Sequence, residues 1–257
     1  MLSSEYIYVH LDGVTNSVLS KGLILTNYTK IIKKVPKNIL LLNASEDIGD
    51  FDAHTGFRII RGVENVRAYF DNHLQTLTGD SIKWIDFESV ELLRQLTPVE
   101  ISELLYIAHA YTHLHSPFYY KLQNNYIYLS LPDNFRKIYF RYLEQFYVLL
   151  SDSLTTVLEV KFNEKKKLFR KAVKIKPIPT ELVKELVPYL REGVILSFKQ
   201  MQHEDTICKI PIFLVEDRLR DVNKTFSKNE LIGTICYDSR DESWSLKEEE
   251  TLQPLLK

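Results

Sequence analysis

Thr97-Pro98-Val99-Glu100-Ile101-Ser102-Glu103-Leu104-Leu105 opens the stretch on which the reading of the fold turns. Thr stands where an N-cap accepts from the first turn. Pro follows at the first helical position, where its missing N–H costs nothing, and Glu three residues after Thr can reach back to the cap. The helix so begun carries Ile101, Leu104, Leu105, Ala108 and Thr112 on one face. It must end near His115-Ser116-Pro117, because the residue before proline is pushed out of the α region. Beyond it, Phe118–Leu122 and Tyr126–Leu131 flank the turn-prone Gln123-Asn124-Asn125, which reads as a hairpin. Pro132-Asp133-Asn134 then reads as the start of an amphipathic helix through Phe135, Ile138, Tyr139, Tyr142, Leu143, Phe146, Leu149 and Leu150. The centre of the chain is therefore predicted as helix–hairpin–helix. It is dense in aromatics: 13 of the chain's 30 lie within residues 106–147.

Working towards the N-terminus, the pattern is mixed. Glu5–Leu11 alternates as a strand, Leu23–Leu25 and Ile39–Leu42 are short apolar runs, and Phe57–Arg61 stops at Gly62. Val63–Leu77 has helical spacing, Ile82–Phe87 reads as a strand and Val90–Leu96 as a short helix. Towards the C-terminus the pattern is mostly β. Val157–Phe162 alternates and Leu168–Lys176 can pair back on it across Asn163–Lys166. A helix through Leu182, Val183, Leu186, Val187 and Leu190 is expected to kink at Pro188 and end at Gly193. Two hairpins follow, Val194–Met201 with Thr206–Val215 and Leu231–Asp238 with Ser243–Leu246, before a short acidic helix from Lys247. The class implied is α+β: a mixed N-terminal part, the aromatic centre and a mostly antiparallel β C-terminal part. The boundary is expected near residue 153, giving domains 1–153 and 154–257.

Length and composition agree with a globular chain. At 257 residues it can bury a core without a disulfide or metal staple. Hydrophobic residues are 45% and charged residues 26%, which argues against a disordered, fibrous or membrane-bundle protein. No apolar run approaches the roughly 18 residues that span a bilayer, and no signal peptide is legible at Met1–Tyr6. Cys208 and Cys236 sit among apolar neighbours and read as buried strand thiols. A cytoplasmic location is therefore expected. The excess of Lys over Arg, 22 to 11, fits an AT-rich bacterial coding bias. Net charge is −1, but residues 116–176 alone carry +7 against −4 on either side.

Four features are candidate sites. His109 and His113 lie four apart on the central helix, so both imidazoles can reach one transition-metal ion, with His115 joining if the helix unwinds. Ala110 stands where a zincin would have its Glu, so no general base is built in. Half-buried histidines at a helix C-terminus are the plainer reading. Glu46, Asp47, Asp50, Asp52 and His54 share one stretch, and the alternating oxygens of Asp50-Phe51-Asp52-Ala53-His54 could hold Mg²⁺ or Ca²⁺, where a solvated surface loop is the default. Phe118, Tyr119 and Tyr120 would project from both faces of a strand, as a wall for a ligand or partner does. The basic run Lys161–Lys176 includes Lys165, Lys166, Arg170 and Lys174. It reads as a basic hairpin, either guarding an edge or meeting a polyanion or acidic partner.

Dinucleotide, P-loop, nucleophile-elbow and Cys-x-x-Cys motifs are absent from the sequence. The function these features favour is a cytoplasmic, non-catalytic binding or regulatory protein without a cofactor. It would use the aromatic centre and the basic hairpin, with a protein partner or polyanion and no membrane. The alternatives are a metal-dependent hydrolase with one transition-metal ion on His109 and His113 and oxygen from Asp50 or Asp52, and a structural homodimer.

Overall fold

The computed structural model describes residues 5–23, 35–43, 48–73, 82–110, 121–164, 173–215, 226–227 and 230–248. It divides the chain into two compact units. One comprises Asp12–Leu19 and Leu25–Phe146, the other Met1–Leu11, Ser20–Ile24 and Tyr147–Lys257. Among the described residues there are 13 strands and six α-helices, and ten pairings among these strands are antiparallel. This is an α+β protein.

The chain opens on β1 (Tyr6–Asp12) and β2 (Ser17–Lys21). Asp12 closes the turn between them by accepting from the Val14 N–H at 2.9 Å and the Thr15 hydroxyl at 2.8 Å. The unit that holds the centre of the chain is built on β3 (Asn38–Asn43), β4 (Asp50–Phe51), β5 (Arg58–Arg61), β6 (Lys83–Phe87), β7 (Tyr126–Ser130) and β8 (Arg136–Phe140). These lie side by side in the order β8-β7-β6-β3-β5-β4. Its helices are α1 (Val63–His73), α2 (Val90–Arg94) and α3 (Pro98–Ala110). Strand periodicity sends Trp84 and Asp86 to one face of β6, and Lys83, Ile85 and Phe87 to the other. Phe70 of α1 meets Trp84 at 5.2 Å between ring centroids, and Trp84 stacks on Tyr128 of β7 at 5.7 Å. The Lys83 ammonium donates to the carbonyl of Ala108 in α3. The two helices therefore cover opposite faces. All five residues of β6 are buried, which is why this strand reads as a continuous run despite antiparallel partners.

The central segment departs from its predicted form. Lys121 and Leu122 are helical, and β7 pairs instead with β8, Tyr126 opposite Phe140 through Ser130 opposite Arg136. Pro132-Asp133-Asn134 is the turn of that hairpin, not the start of a helix. Asp133 and Asn134 take φ of 59° and 62°, a left-handed pair that Asp and Asn tolerate and that turns the chain back. The spacing of Phe135, Ile138 and Tyr139 imitates a helix, but Phe135–Phe140 is extended and α4 (Glu144–Glu164) begins only after Arg141-Tyr142-Leu143.

The other unit takes α4 from Tyr147 onward, and the helix runs unbroken through Val157–Phe162, so the predicted strand there is a helix. The i, i+3, i+4 series Phe146, Leu149, Leu150, Leu154, Val157, Leu158 is buried throughout, and this longer series outweighs a six-residue alternation. Residues 173–179 return as an extended strap that is not a strand. The Ser151 hydroxyl donates to the Ile178 carbonyl at 2.6 Å, and the Ile178 N–H donates to the Thr155 hydroxyl at 3.1 Å. The Val173 N–H donates to the Asn163 side chain at 2.9 Å. Two short helices, α5 (Thr180–Glu185) and α6 (Val187–Glu192), meet before Pro188, and Gly193 ends the second with φ 83°. The strands β9 (Val194–Ser197), β10 (Gln202–Glu204), β11 (Ile207–Leu214), β12 (Leu231–Asp238) and β13 (Ser243–Glu248) follow. Their order is β9-β11-β12-β13, with β10 on β11 and Tyr6–Val9 of β1 on β9. The hairpin over residues 239–242 matches its sequence reading. Lys247 and Glu248, expected to begin a helix, are the end of β13.

Candidate functional site

The N-terminus of α3 is held by the capping pair the sequence announces. The Thr97 N–H donates to Glu100 Oε2 at 2.6 Å and the Glu100 N–H to Thr97 Oγ1 at 3.4 Å. Lys121 adds two contacts to the same carboxylate, at 2.5 and 2.7 Å. The Lys121 ammonium, then the Thr97 donors, pull the Glu100 carboxyl down to about 2. The helix so fixed buries Leu104, Ile107 and Ala108. Its other side is also apolar. Val99 is 69% exposed, Tyr106 58% and Leu105 46%. Val99 and Tyr106 stand two turns apart in one line, with Leu105 beside them across Ser102. His109 lies in the last turn of this helix.

At one end of the same sheet lies a buried polar cluster that sequence reasoning passes over. Asp86, 4% exposed, accepts from the Asn125 N–H at 2.9 and 3.0 Å, from Asn125 Nδ2 at 3.3 Å and from the Tyr126 N–H at 2.6 Å. Burial pushes its carboxyl up to about 6, against the pull of these donors. The carboxylate in turn raises the neighbouring Tyr126 phenol, after burial as the main cause. Asn38 bridges the adjacent strand ends, donating to the carbonyls of Phe87 at 3.3 Å and Glu88 at 3.0 Å. Asn124 is fully buried, and its amide nitrogen and oxygen have no hydrogen-bond partner among the described residues. Its backbone carbonyl accepts from Arg141 at 3.4 Å. The cluster pins the turn that enters β7. Asp86, Asn38 and Asn124 are buried away from solvent, so the cluster serves the fold. The one hint in sequence is an aspartate inside the apolar run Ile82–Phe87.

The other predicted site residues fall as follows. Asp52 is occupied in its own turn, accepting from the Thr55 hydroxyl at 2.6 Å and the Thr55 N–H at 3.0 Å. Asp50 lies 3.8 Å from Arg61, and His54 Nε2 lies 3.0 Å from the Leu96 carbonyl. Among the described residues no group of three or more His, Cys, Asp or Glu is placed to hold a metal ion. His113, His115, Phe118, Tyr119, Tyr120, Lys165, Lys166 and Arg170 lie outside the described residues. Lys174 is exposed on the extended strap. Its predicted hairpin partner, Val157–Phe162, is helical, so Lys161 belongs to α4. Cys208 and Cys236 are buried, and neither is in a disulfide. Among the described residues, no helix is long and apolar enough to cross a membrane. His203, which the sequence reading leaves in a turn, stands opposite Cys208 across β10 and β11.

No family model matches this chain, no curated protein is detectably similar to it, and no solved structure matches it at a significant level.

Proposed function

We propose that this is a non-catalytic, cytoplasmic binding or regulatory protein that seats a protein partner on the outer face of α3. The observation that carries the reading is the exposure of Val99, Leu105 and Tyr106 on a helix whose inner face is already filled. Seven large hydrophobic side chains are exposed among the described residues, and three of them lie on this one helix. A helix apolar on both sides is either enclosed or presents one side to another molecule. The rim is polar, with Ser102 and Glu103 between the apolar positions, as at protein contact surfaces. The basic segment with Lys165, Lys166, Arg170 and Lys174 supports a partner that is acidic overall, because a +7 region steers such a partner at moderate salt. Two buried thiols outside any disulfide support a reducing compartment.

A photo-crosslinking residue placed at position 99 or 106 in the full chain, inside growing cells, tests this. Val14, 88% exposed, is the control position. A discrete product from 99 and 106, identified as an acidic protein and lacking from 14, is the expected result. Crosslinking only to a second copy of the chain supports the homodimer instead. Crosslinking to nucleic acid supports the polyanion, and the same products from all three positions remove α3 as a specific surface.

A further inference from the structure

The β10–β11 hairpin sets His203 directly opposite Cys208, with the thiol sulfur 2.9 Å from imidazole Nδ1. On its other side Cys208 faces Tyr237 of β12. Opposed residues in an antiparallel pair share a face, so His203, Cys208 and Tyr237 form one row. Phe162 of α4 packs nearly perpendicular to the rings at both ends of it, at 5.6 Å from His203 and 6.3 Å from Tyr237, with interplanar angles of 82° and 88°. The imidazole is thereby held between the sulfur and an aromatic ring, while the His203 residue stays exposed to solvent. Cys236 is an internal contrast. It is buried too, but its opposed residues are Lys209 and Ser245, so it points to the other face of the sheet, away from the imidazole. Burial pushes its thiol up, and Lys247 and Lys209 only partly offset this.

We propose that Cys208 is a modification site, a thiol activated by His203 and oxidised by hydroperoxides to a sulfenic acid. A thiol in hydrogen-bond reach of an imidazole can pass it the proton and become the thiolate that reacts. The thiolate sulfur attacks the nearer peroxide oxygen, an S–O bond forms and the O–O bond breaks. Sulfur loses two electrons, and the leaving oxyanion takes the imidazolium proton of His203 and departs as water or an alcohol. The net change is Cys–SH plus ROOH to Cys–SOH plus ROH. Cys208 is 1% exposed in the closed hairpin, so the reagent must enter by local opening. β10 has only three residues, all exposed, so the opening required is a local shift of its side chains that keeps His203 opposite Cys208. Because Cys236 faces the opposite side, a disulfide between the two is excluded by direction. An external thiol must return the sulfenic acid to the reduced state.

The test uses the full-length folded protein, hydrogen peroxide and dimedone, with peptide mass spectrometry reading each cysteine separately. Dimedone addition at Cys208 at least about tenfold faster than at Cys236 is expected in the wild type. Cys236→Ser should leave the Cys208 rate unchanged. His203→Ala should slow it about tenfold and move the midpoint of its pH–rate profile upward, with Tyr237 the other titratable group in that row. Equal labelling of both cysteines, or labelling of neither, overturns the proposal on the wild type alone. An unchanged or faster Cys208 rate in His203→Ala overturns it as well, since His203 would then be a shield rather than a base.

Discussion

Two helices flank the aromatic hairpin in sequence, and the fold uses them differently. Beyond Glu144, none of the described side chains of α4 is classed as exposed. Its leucines enter the core, and Ser151, Thr155, Glu159 and Asn163 are engaged by the strap of residues 173–178. α3 has the same inner complement in Leu104, Ile107 and Ala108, but nothing among the described residues covers Val99 and Tyr106. The difference teaches where to look for a partner. An apolar surface that the chain itself covers reports on stability, and one it leaves open reports on association. The basic segment that supports the choice of an acidic partner follows α4 in sequence.

The contrast can be broken most severely in α4. Leu154→Ala should cost about 2–5 kcal/mol by urea or thermal unfolding, because the side chain is fully buried and its cavity cannot refill. A loss below about 1 kcal/mol would mean that α4 is not the covered helix described here.

Asp86 supplies the next effect, through pH. Its folded pKa of about 6 lies above the ordinary aspartate value of 3.8, so the folded state holds this proton more tightly than the unfolded state. Its contribution to stability is therefore fully present below about pH 4 and is lost as pH rises through 6, an amount on the order of 2–3 kcal/mol. Asp86→Asn should remove that part of the pH dependence. An identical slope between pH 4 and 7 in both proteins would contradict the burial argument.

The strap gives a smaller change. Thr155→Val keeps the shape of the side chain but leaves the buried Ile178 N–H without its acceptor, a cost of roughly 1–3 kcal/mol. Hydrogen exchange at Ile178 should quicken with it. Protection unchanged at Ile178 would show that the strap is held by other means.

How far the sequence discloses this contrast depends on how local each signal is. The capping pair Thr97–Glu100, the all-buried strand at Lys83–Phe87 and the hairpin over residues 239–242 are legible because their determinants lie within a few residues. The strand at 136–140 is not, because Phe135, Ile138 and Tyr139 fit both periods and two left-handed residues, Asp133 and Asn134, decide the matter. Val157–Phe162 misleads in the opposite sense, since Val157, Glu159 and Lys161 alternate while belonging to a longer helical series. The open face of α3 is legible only in part. Leu105 is expected on the inner face together with Leu104 and is found at the edge of the outer one. Asp86, Asn124 and the His203–Cys208 pair depend on which strand lies beside which, and no short motif encodes that.

The smallest stability effect carries the most weight for function. Val99→Ser with Tyr106→Ser should leave the melting temperature within about 2 °C of wild type, since neither side chain is buried. The same double variant, titrated against the acidic partner recovered by crosslinking at position 106, should bind at least about tenfold more weakly, as loss of one central aromatic anchor implies. Unchanged affinity with an unchanged melting temperature would contradict the claim that the outer face of α3 is the contact surface, and a large fall in melting temperature would show that these side chains belong to the core instead.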